Sequence, residues 1–135
     1  MADASVRCEW FVLCEDFEID DQARITLTHI YSRVEAVSWP AVLPDSYLAA
    51  RVLGTAGTVL RVILHLRLPS GRPYVVWPTF NVTIEPSGAA LVVVDLEEIS
   101  LPDPGEYRAL LLIDGVQMAS TSVAVWPPEQ SSTLQ

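Results

Sequence analysis

The segment Leu101–Pro127 (LPDPGEYRALLLIDGVQMASTSVAVWP) constrains the fold more than any other part of the chain. Two apolar runs flank an Asp-Gly dipeptide at positions 114–115, and both residue types tolerate the positive φ angles at the centre of a two-residue β-turn. The segment therefore predicts a hairpin of two antiparallel strands. Counting outward from the turn gives the expected cross-strand partners. They are Ile113 with Val116, Leu111 with Met118, Ala109 with Ser120, and Tyr107 with Ser122.

Successive side chains on a strand point to opposite sides of a sheet, so the hairpin has an inner and an outer face. The residues expected to face the core are Tyr107, Ala109, Leu111 and Ile113. The outer face is then also apolar, which is typical of a surface that binds a partner. The predicted interaction surface consists of Leu110, Leu112, Ala119 and Val123.

The rest of the chain repeats apolar runs at short intervals, with turn signals between them and no sustained helical period. Two antiparallel sheets packed face to face are the simplest arrangement of such strands. We predict an all-β fold, an immunoglobulin-like antiparallel β-sandwich of about eight strands. Besides the hairpin, the predicted strands are Val6–Cys14, Arg24–Tyr31, Tyr47–Leu53, Thr58–Leu68, Tyr74–Glu85 (interrupted at Pro78) and Ala90–Ile99.

Tyr107 stands at the start of the penultimate predicted strand, after Asp103-Pro104-Gly105-Glu106. In immunoglobulin-like domains, a tyrosine at this place returns its hydroxyl to nearby backbone and fixes a corner of the chain. The disulfide cysteine of those domains would stand two positions later, where this chain has Ala109. We therefore predict a structural corner at Tyr107 in a sandwich without that disulfide.

The length of 135 residues fits one domain, which we place at residues 1–126, with a flexible tail at 127–135. The formal net charge is -9. Such a charge repels the phosphates of nucleic acids and anionic membranes, so we expect neither as a partner.

The chain has two cysteines, Cys8 and Cys14. Six residues along one extended strand hold them about 20 Å apart, too far for a disulfide. They share the same strand parity, so we expect both to be core thiols. Unpaired thiols, together with no secretory signal and no long apolar run, predict a cytoplasmic protein.

One acidic run is a weak candidate for metal binding, because carboxylates on a flexible loop are ligands for Ca²⁺. Its spacing differs from that of a calcium-binding EF-hand loop, and no glycine supplies the sharp turn. A solvated turn over residues 15–22 is therefore the favoured interpretation, with no metal. The carboxylates are Glu15, Asp16, Glu18, Asp20 and Asp21.

The histidines do not stand beside a nucleophile or metal motif, and we predict neither enzymatic activity nor a cofactor. His65 lies between Arg61 and Arg67 on the outward side of its predicted strand. We expect Asp95 and Glu97, on a neighbouring strand, to compensate this positive charge.

Three segments carry a resemblance to a family: Cys14-Glu15-Asp16, then Arg24–Tyr31 (RITLTHIY), and finally Pro104–Arg108 (PGEYR) with the turn at 114–115. Across Cys8–Val125 the chain resembles an uncharacterised bacterial family of small β-sandwich proteins. The resemblance implies the fold and no assigned activity.

Two functions remain open from the sequence. The first is a non-enzymatic protein-interaction or structural module, with a protein partner or self-association through the apolar face of the hairpin. The alternative is a sandwich that binds a small ligand or Ca²⁺ through the acidic residues 15–21.

Overall fold

The computed structural model describes residues 6–22 and 24–127, so residues 128–135 of the predicted tail lie outside the described part. The described residues form twelve strands. They contain no helix that is long and apolar enough to cross a membrane. This confirms the predicted all-β, immunoglobulin-like sandwich, whereas the number of strands exceeds the predicted eight because short strands were not anticipated. The strands are β1 (Arg7–Ile19), β2 (Ile25–Tyr31), β3 (Arg33–Glu35), β4 (Ala41–Val42), β5 (Ser46–Leu53), β6 (Val59–Arg67), β7 (Pro73–Val76), β8 (Phe80–Thr83), β9 (Ala89–Leu96), β10 (Ser100–Leu101), β11 (Gly105–Ile113) and β12 (Val116–Trp126).

The strands form two main sheets and one short pair. The first sheet has four strands in the order β2-β1-β5-β9, all antiparallel. The second has six strands: β3, β12, β11, β6 and β7 in that order, with β8 also paired to β6. Only β3 and β12 pair in parallel among these neighbours in the described chain. The short strands β4 and β10 pair with each other.

The core lies between the inner sides of the two main sheets. Strand β6 alternates buried and more exposed residues as the sequence predicts. Its inner residues, with those of β11, are Leu60, Val62, Leu64, Leu66, Tyr107, Ala109, Leu111 and Ile113. Each fully buried leucine contributes about 1.5–3 kcal/mol of transfer free energy. A cavity of about 20 Å³ remains between the sheets, with room for about one water molecule.

The closing hairpin has the predicted turn but a different register. Its Asp-Gly turn has positive φ at both residues, and Ile113 pairs with Val116 as predicted. Beyond Gln117 the register shifts, because Met118 is an extra residue on β12 that forms a β-bulge. Every later residue of β12 therefore has a different partner from the predicted one. The observed pairs include Leu111 with Ala119, Ala109 with Thr121, and Tyr107 with Val123.

Two other strand boundaries differ from the prediction. Strand β1 continues to Ile19 and pairs along this extension with β2, so the acidic turn predicted over residues 15–22 is wrong for residues 15–19 and is present only at residues 20–22. Its acidic residues remain exposed, which an outer stretch of sheet permits. The run Tyr74–Glu85 forms two strands, β7 and β8, on either side of Pro78. Proline lacks the N–H that a continuous ladder requires, as the sequence indicated.

Tyr107 ties the start of β11 to the preceding loop. Its hydroxyl donates a hydrogen bond to the carbonyl oxygen of Asp103 at 2.7 Å and accepts one from the Asp103 N–H at 3.1 Å. The side chain is fully buried, and this burial raises the pKa of the Tyr107 hydroxyl. Gly105, with φ of 137°, lies against Pro69, where an added Cβ would come within 2.8 Å of the proline ring. Only glycine fits this approach.

We expect Tyr107→Phe to lower the free energy of unfolding by about 1–3 kcal/mol, because both backbone groups of Asp103 lose their partner. Urea denaturation measures this loss. Tyr74→Phe is the matched control: its hydroxyl donates to the Ser100 carbonyl from an exposed position, where water can replace it. Equal losses in the two variants would contradict a special role for the corner.

Two outer faces as candidate interaction sites

The outer side of the six-stranded sheet carries apolar and basic side chains together. Strands β6 and β11 place His65 opposite Leu110, and Val76 of β7 lies on the other side of His65. The next pairs along the same strands are Ile63 with Leu112 and Arg67 with Arg108. We call this surface the basic face. It consists of Arg61, Ile63, His65, Arg67, Val76, Arg108, Leu110 and Leu112.

Leu110 lies in the middle of the basic face and is only 4% exposed, although it is outside the core cluster. A leucine on the outer side is buried to this extent only when neighbouring side chains lie against it. Nδ1 of His65 and Nε of Arg67 are buried as well, and neither has a hydrogen-bond partner among the described residues. The side chains of the basic face therefore cover one another closely, and two of their polar atoms have no hydrogen-bond partner.

The arginines of this face have two carboxylates nearby: Glu106 lies two residues before Arg108 on the same side of β11, and Asp114 accepts a hydrogen bond from the backbone N–H of Arg61. Arg61, Arg67 and Arg108 take part in none of the ion pairs formed within the described chain. The prediction that Asp95 and Glu97 compensate them is wrong. Asp95 belongs to β9 in the other sheet, whereas the neighbours of β6 are β11, β7 and β8.

The predicted interaction residues divide between the two sides of the sheet. Leu110 and Leu112 lie on the outer side, as counted along β11. Ala119 and Val123 lie on the inner side, because they pair with core-facing residues of β11. Their predicted outward direction is wrong, and the bulge at Met118 is the reason: one extra residue exchanges the two sides of a strand.

The outer side of the four-stranded sheet carries a second apolar surface, which the sequence analysis missed. Its central row is Val12, Ala49 and Val93, from β1, β5 and β9. Ala49 is only 1% exposed yet lies outside the core cluster, so larger neighbours surround it. An available signal was the run Ala89–Val94 (AALVVV), which is apolar on both sides of its strand. Such a run indicates a strand with apolar side chains on both of its sides, unlike the alternation that is common in antiparallel sheets.

The two cysteines lie on opposite sides of this sheet. Cys8 pairs with Val52 and packs against the core, whereas Cys14 pairs with Tyr47 on the outer side. Cys14 is nevertheless fully buried, as predicted, and only the expectation that the two cysteines share one side of the strand is wrong. A register shift between Cys8 and Trp10 exchanges the sides of β1. Burial raises the pKa of both thiols.

Carboxylates border one end of this second surface, around Tyr47. They line a surface depression and include Asp16, Asp45, Asp95 and Glu97. Desolvation, together with the nearby negative charges, raises the pKa of the Tyr47 hydroxyl. The Tyr47 ring meets the ring of Phe17 edge to face, with centroids 5.0 Å apart. We call this surface the acidic face. It consists of Trp10, Val12, Cys14, Tyr47, Ala49, Leu91 and Val93 with these four carboxylates. Arg51 also lies on this side, between Trp10 and Leu91, and its charge is compensated by an ion pair with Glu9.

The five carboxylates considered for Ca²⁺ do not come together. Glu15 contacts the ring of His29, which has a positive φ of 51°. Asp20 accepts hydrogen bonds from the backbone and side chain of Arg24, and these bonds lower the pKa of its carboxyl. No group of three or more His, Cys, Asp or Glu residues in the described ranges is arranged to hold a metal ion. The residues of the candidate are Glu15, Asp16, Glu18, Asp20 and Asp21.

A family model described as "Family of unknown function (DUF6941)" matches residues 9–126. This range includes all residues of both faces. No curated protein matches the sequence.

Several solved structures resemble part or all of this chain. The alkylpurine DNA glycosylase AlkC from Pseudomonas fluorescens, bound to DNA containing an abasic site analog, superposes with a TM-score of 0.57 at 10% identity, over 90% of this chain and 30% of that chain. A β-glucosidase from Listeria innocua superposes with a TM-score of 0.48 at 11% identity, over 90% of this chain and 16% of that chain. An immunoglobulin-like protein from Pseudomonas aeruginosa superposes with a TM-score of 0.44 at 14% identity, over 93% of this chain and 99% of that chain. The chain thus spans a minor part of the first two, and the likeness to the glycosylase concerns the fold alone.

We expect Asp95→Asn to lower the pKa of the Tyr47 hydroxyl, because it removes the strongest of the nearby negative charges that oppose ionisation. NMR titration with ring-labelled tyrosine measures each hydroxyl separately. Glu106→Gln, an isosteric change on the other sheet, should leave the Tyr47 value unaltered. A Tyr47 pKa that does not respond to Asp95→Asn would contradict the electrostatic arrangement of the acidic face.

Proposed function

The chain belongs to the DUF6941 family, whose function is unknown, and we propose that it is a non-enzymatic protein-interaction module. Its basic face binds a protein surface that combines carboxylates with apolar side chains. We also propose that it works in the bacterial cytoplasm. Its two free thiols, Cys8 and Cys14, support a reducing compartment.

The observation that carries this proposal is the pair of unpartnered nitrogen atoms on the basic face. Nδ1 of His65 and Nε of Arg67 are buried without a hydrogen-bond partner in the described chain. A buried polar group without a partner costs about 1–3 kcal/mol, and native proteins keep few of them. A partner carboxylate that displaces the side chains covering Arg67 would supply the missing acceptor for its Nε, since guanidinium groups bind carboxylates through paired, charge-assisted hydrogen bonds.

The apolar part of the face supports a protein as the partner. Leu110 lies beneath its neighbours, Ile63 and Leu112 are half-buried, and Val76 is 56% exposed. An apolar centre with arginines around it is the composition of a protein interface, where arginine is enriched.

The charge distribution disfavours nucleic acid and anionic membranes as partners. The three arginines of the basic face stand against a formal net charge of -9 for the whole chain. Nucleic-acid binding gains most of its affinity by neutralising many phosphates. The negative charge on the rest of this chain would repel those phosphates from most directions of approach. A few carboxylates on a protein surface match the three arginines better.

The thiols support a role without catalysis. Cys14 has no exposed surface, and burial raises the pKa of both cysteines. A thiol with a raised pKa carries little thiolate near neutral pH and is a weak nucleophile.

An acidic copolymer of glutamate and tyrosine tests the proposed surface directly. We expect the copolymer to shift the amide NMR signals of β6 and β11, despite the net negative charge of the chain. Arg108→Glu should weaken binding about tenfold, because it removes one charge-assisted contact and adds a like charge. The NMR titration gives the dissociation constants of the wild type and the variant.

Arg72→Glu is the matched control, since it makes the same charge change at an exposed turn outside the basic face. It should change the affinity much less than Arg108→Glu does. If both variants weaken copolymer binding equally, net charge alone explains the effect. If the amide signals of β6 and β11 do not shift, the basic face is not the binding surface.

A further inference from the structure

We propose that the protein surface bound by the basic face is the acidic face of a second copy of this chain, so that copies associate head to tail. This inference rests on the proposed function of the basic face and names its partner. The two faces lie on opposite sides of the sandwich, one on each sheet. Each copy therefore uses a different surface toward each of its two neighbours.

The charges of the two faces complement each other. Asp16, Asp45, Asp95 and Glu97 on the acidic face form no ion pair within the described chain. Three arginines on the basic face are likewise without an ion pair there. Docking one face on the other would bring these groups of opposite sign together, and a carboxylate that displaces the side chains covering Arg67 would supply an acceptor for its buried Nε.

The apolar centres also match. On the basic face, Leu112 and Ile63 are cross-strand neighbours, and both are half-buried. On the acidic face, Val12 and Val93 lie on either side of Ala49, which is almost fully covered, so these two valines form the apolar row there. Apolar contact between the two surfaces would supply the non-directional part of the affinity, and the charges would set the orientation.

The same charges disfavour a symmetric dimer through either face. An interface between two identical faces brings each surface against itself. Two basic faces would oppose six arginines to one another, and two acidic faces would oppose eight carboxylates. Like charges across an interface suppress that pairing. A heterologous interface between unlike faces avoids this and leaves one free face at each end of the assembly.

Two double variants separate these arrangements. Arg108→Glu with Leu112→Glu disables the basic face, and Val93→Arg with Asp95→Arg disables the acidic face. Sedimentation velocity is recorded for the wild type, for each variant alone and for an equimolar mixture. We expect the wild type to form species larger than a dimer as concentration rises. Each variant alone should remain a monomer, and the mixture should form a 1:1 dimer that grows no further.

The mixture result distinguishes the interfaces, because each double variant retains the face that the other lacks. Arg72→Glu with Val37→Glu makes matched changes outside both faces and should assemble like the wild type. The single changes Arg108→Glu and Asp95→Arg, both at exposed positions, repeat the test with less effect on folding. We expect either one to raise the dissociation constant of assembly about tenfold.

Three results would overturn the head-to-tail arrangement: a wild type that is monomeric throughout, an acidic-face variant that still dimerises alone, or a mixture that stays monomeric while the wild type assembles. A monomeric wild type that still binds the acidic copolymer through β6 and β11 would reject this inference and leave the proposed function standing. A monomeric wild type that also fails to bind the copolymer would reject both.

Discussion

The alternation of side chains across each strand is the constraint on which the rest of this structure depends. It places one set of residues between the sheets and the other set outside, and register shifts in β1 and β12 exchange the two sides. The shift before Trp10 turns Cys14 outward, and the bulge at Met118 turns Val123 inward. Both the core and the two outer faces are therefore set by where an extra residue enters a strand.

Features that depend on local chemistry were predictable from the sequence. The Asp-Gly turn, the interruption at Pro78 and the inner residues of β6 follow from backbone geometry or from period-two alternation. Leu110 and Leu112 were placed correctly because β11 contains no bulge between them and the turn. The residues after Met118 were not, since nothing in the residue types there distinguishes a bulge from a continuous ladder.

The acidic face was not predicted because its residues come from strands that are far apart in the sequence. Val12, Ala49 and Val93 become neighbours only through the pairing of β1, β5 and β9. The predicted compensation of Arg67 by Asp95 failed for the same reason, since each strand had to be assigned to a sheet before its neighbours were known. Period-two patterns assign sides of a strand, whereas sheet order depends on long-range packing.

The separation of charge between the faces has a consequence for the size of any assembly. Each added copy brings a formal net charge of -9, so repulsion between copies grows with length. The attraction at each interface acts over contact distance, while the repulsion extends over a Debye length of about 8 Å at physiological ionic strength. Salt therefore weakens both the repulsion between copies and the attraction between exposed charges at each interface. The apolar contacts at the interface remain. Assemblies held by such interfaces are short where charge repulsion is unscreened, and their length reflects the balance between apolar contact and net charge.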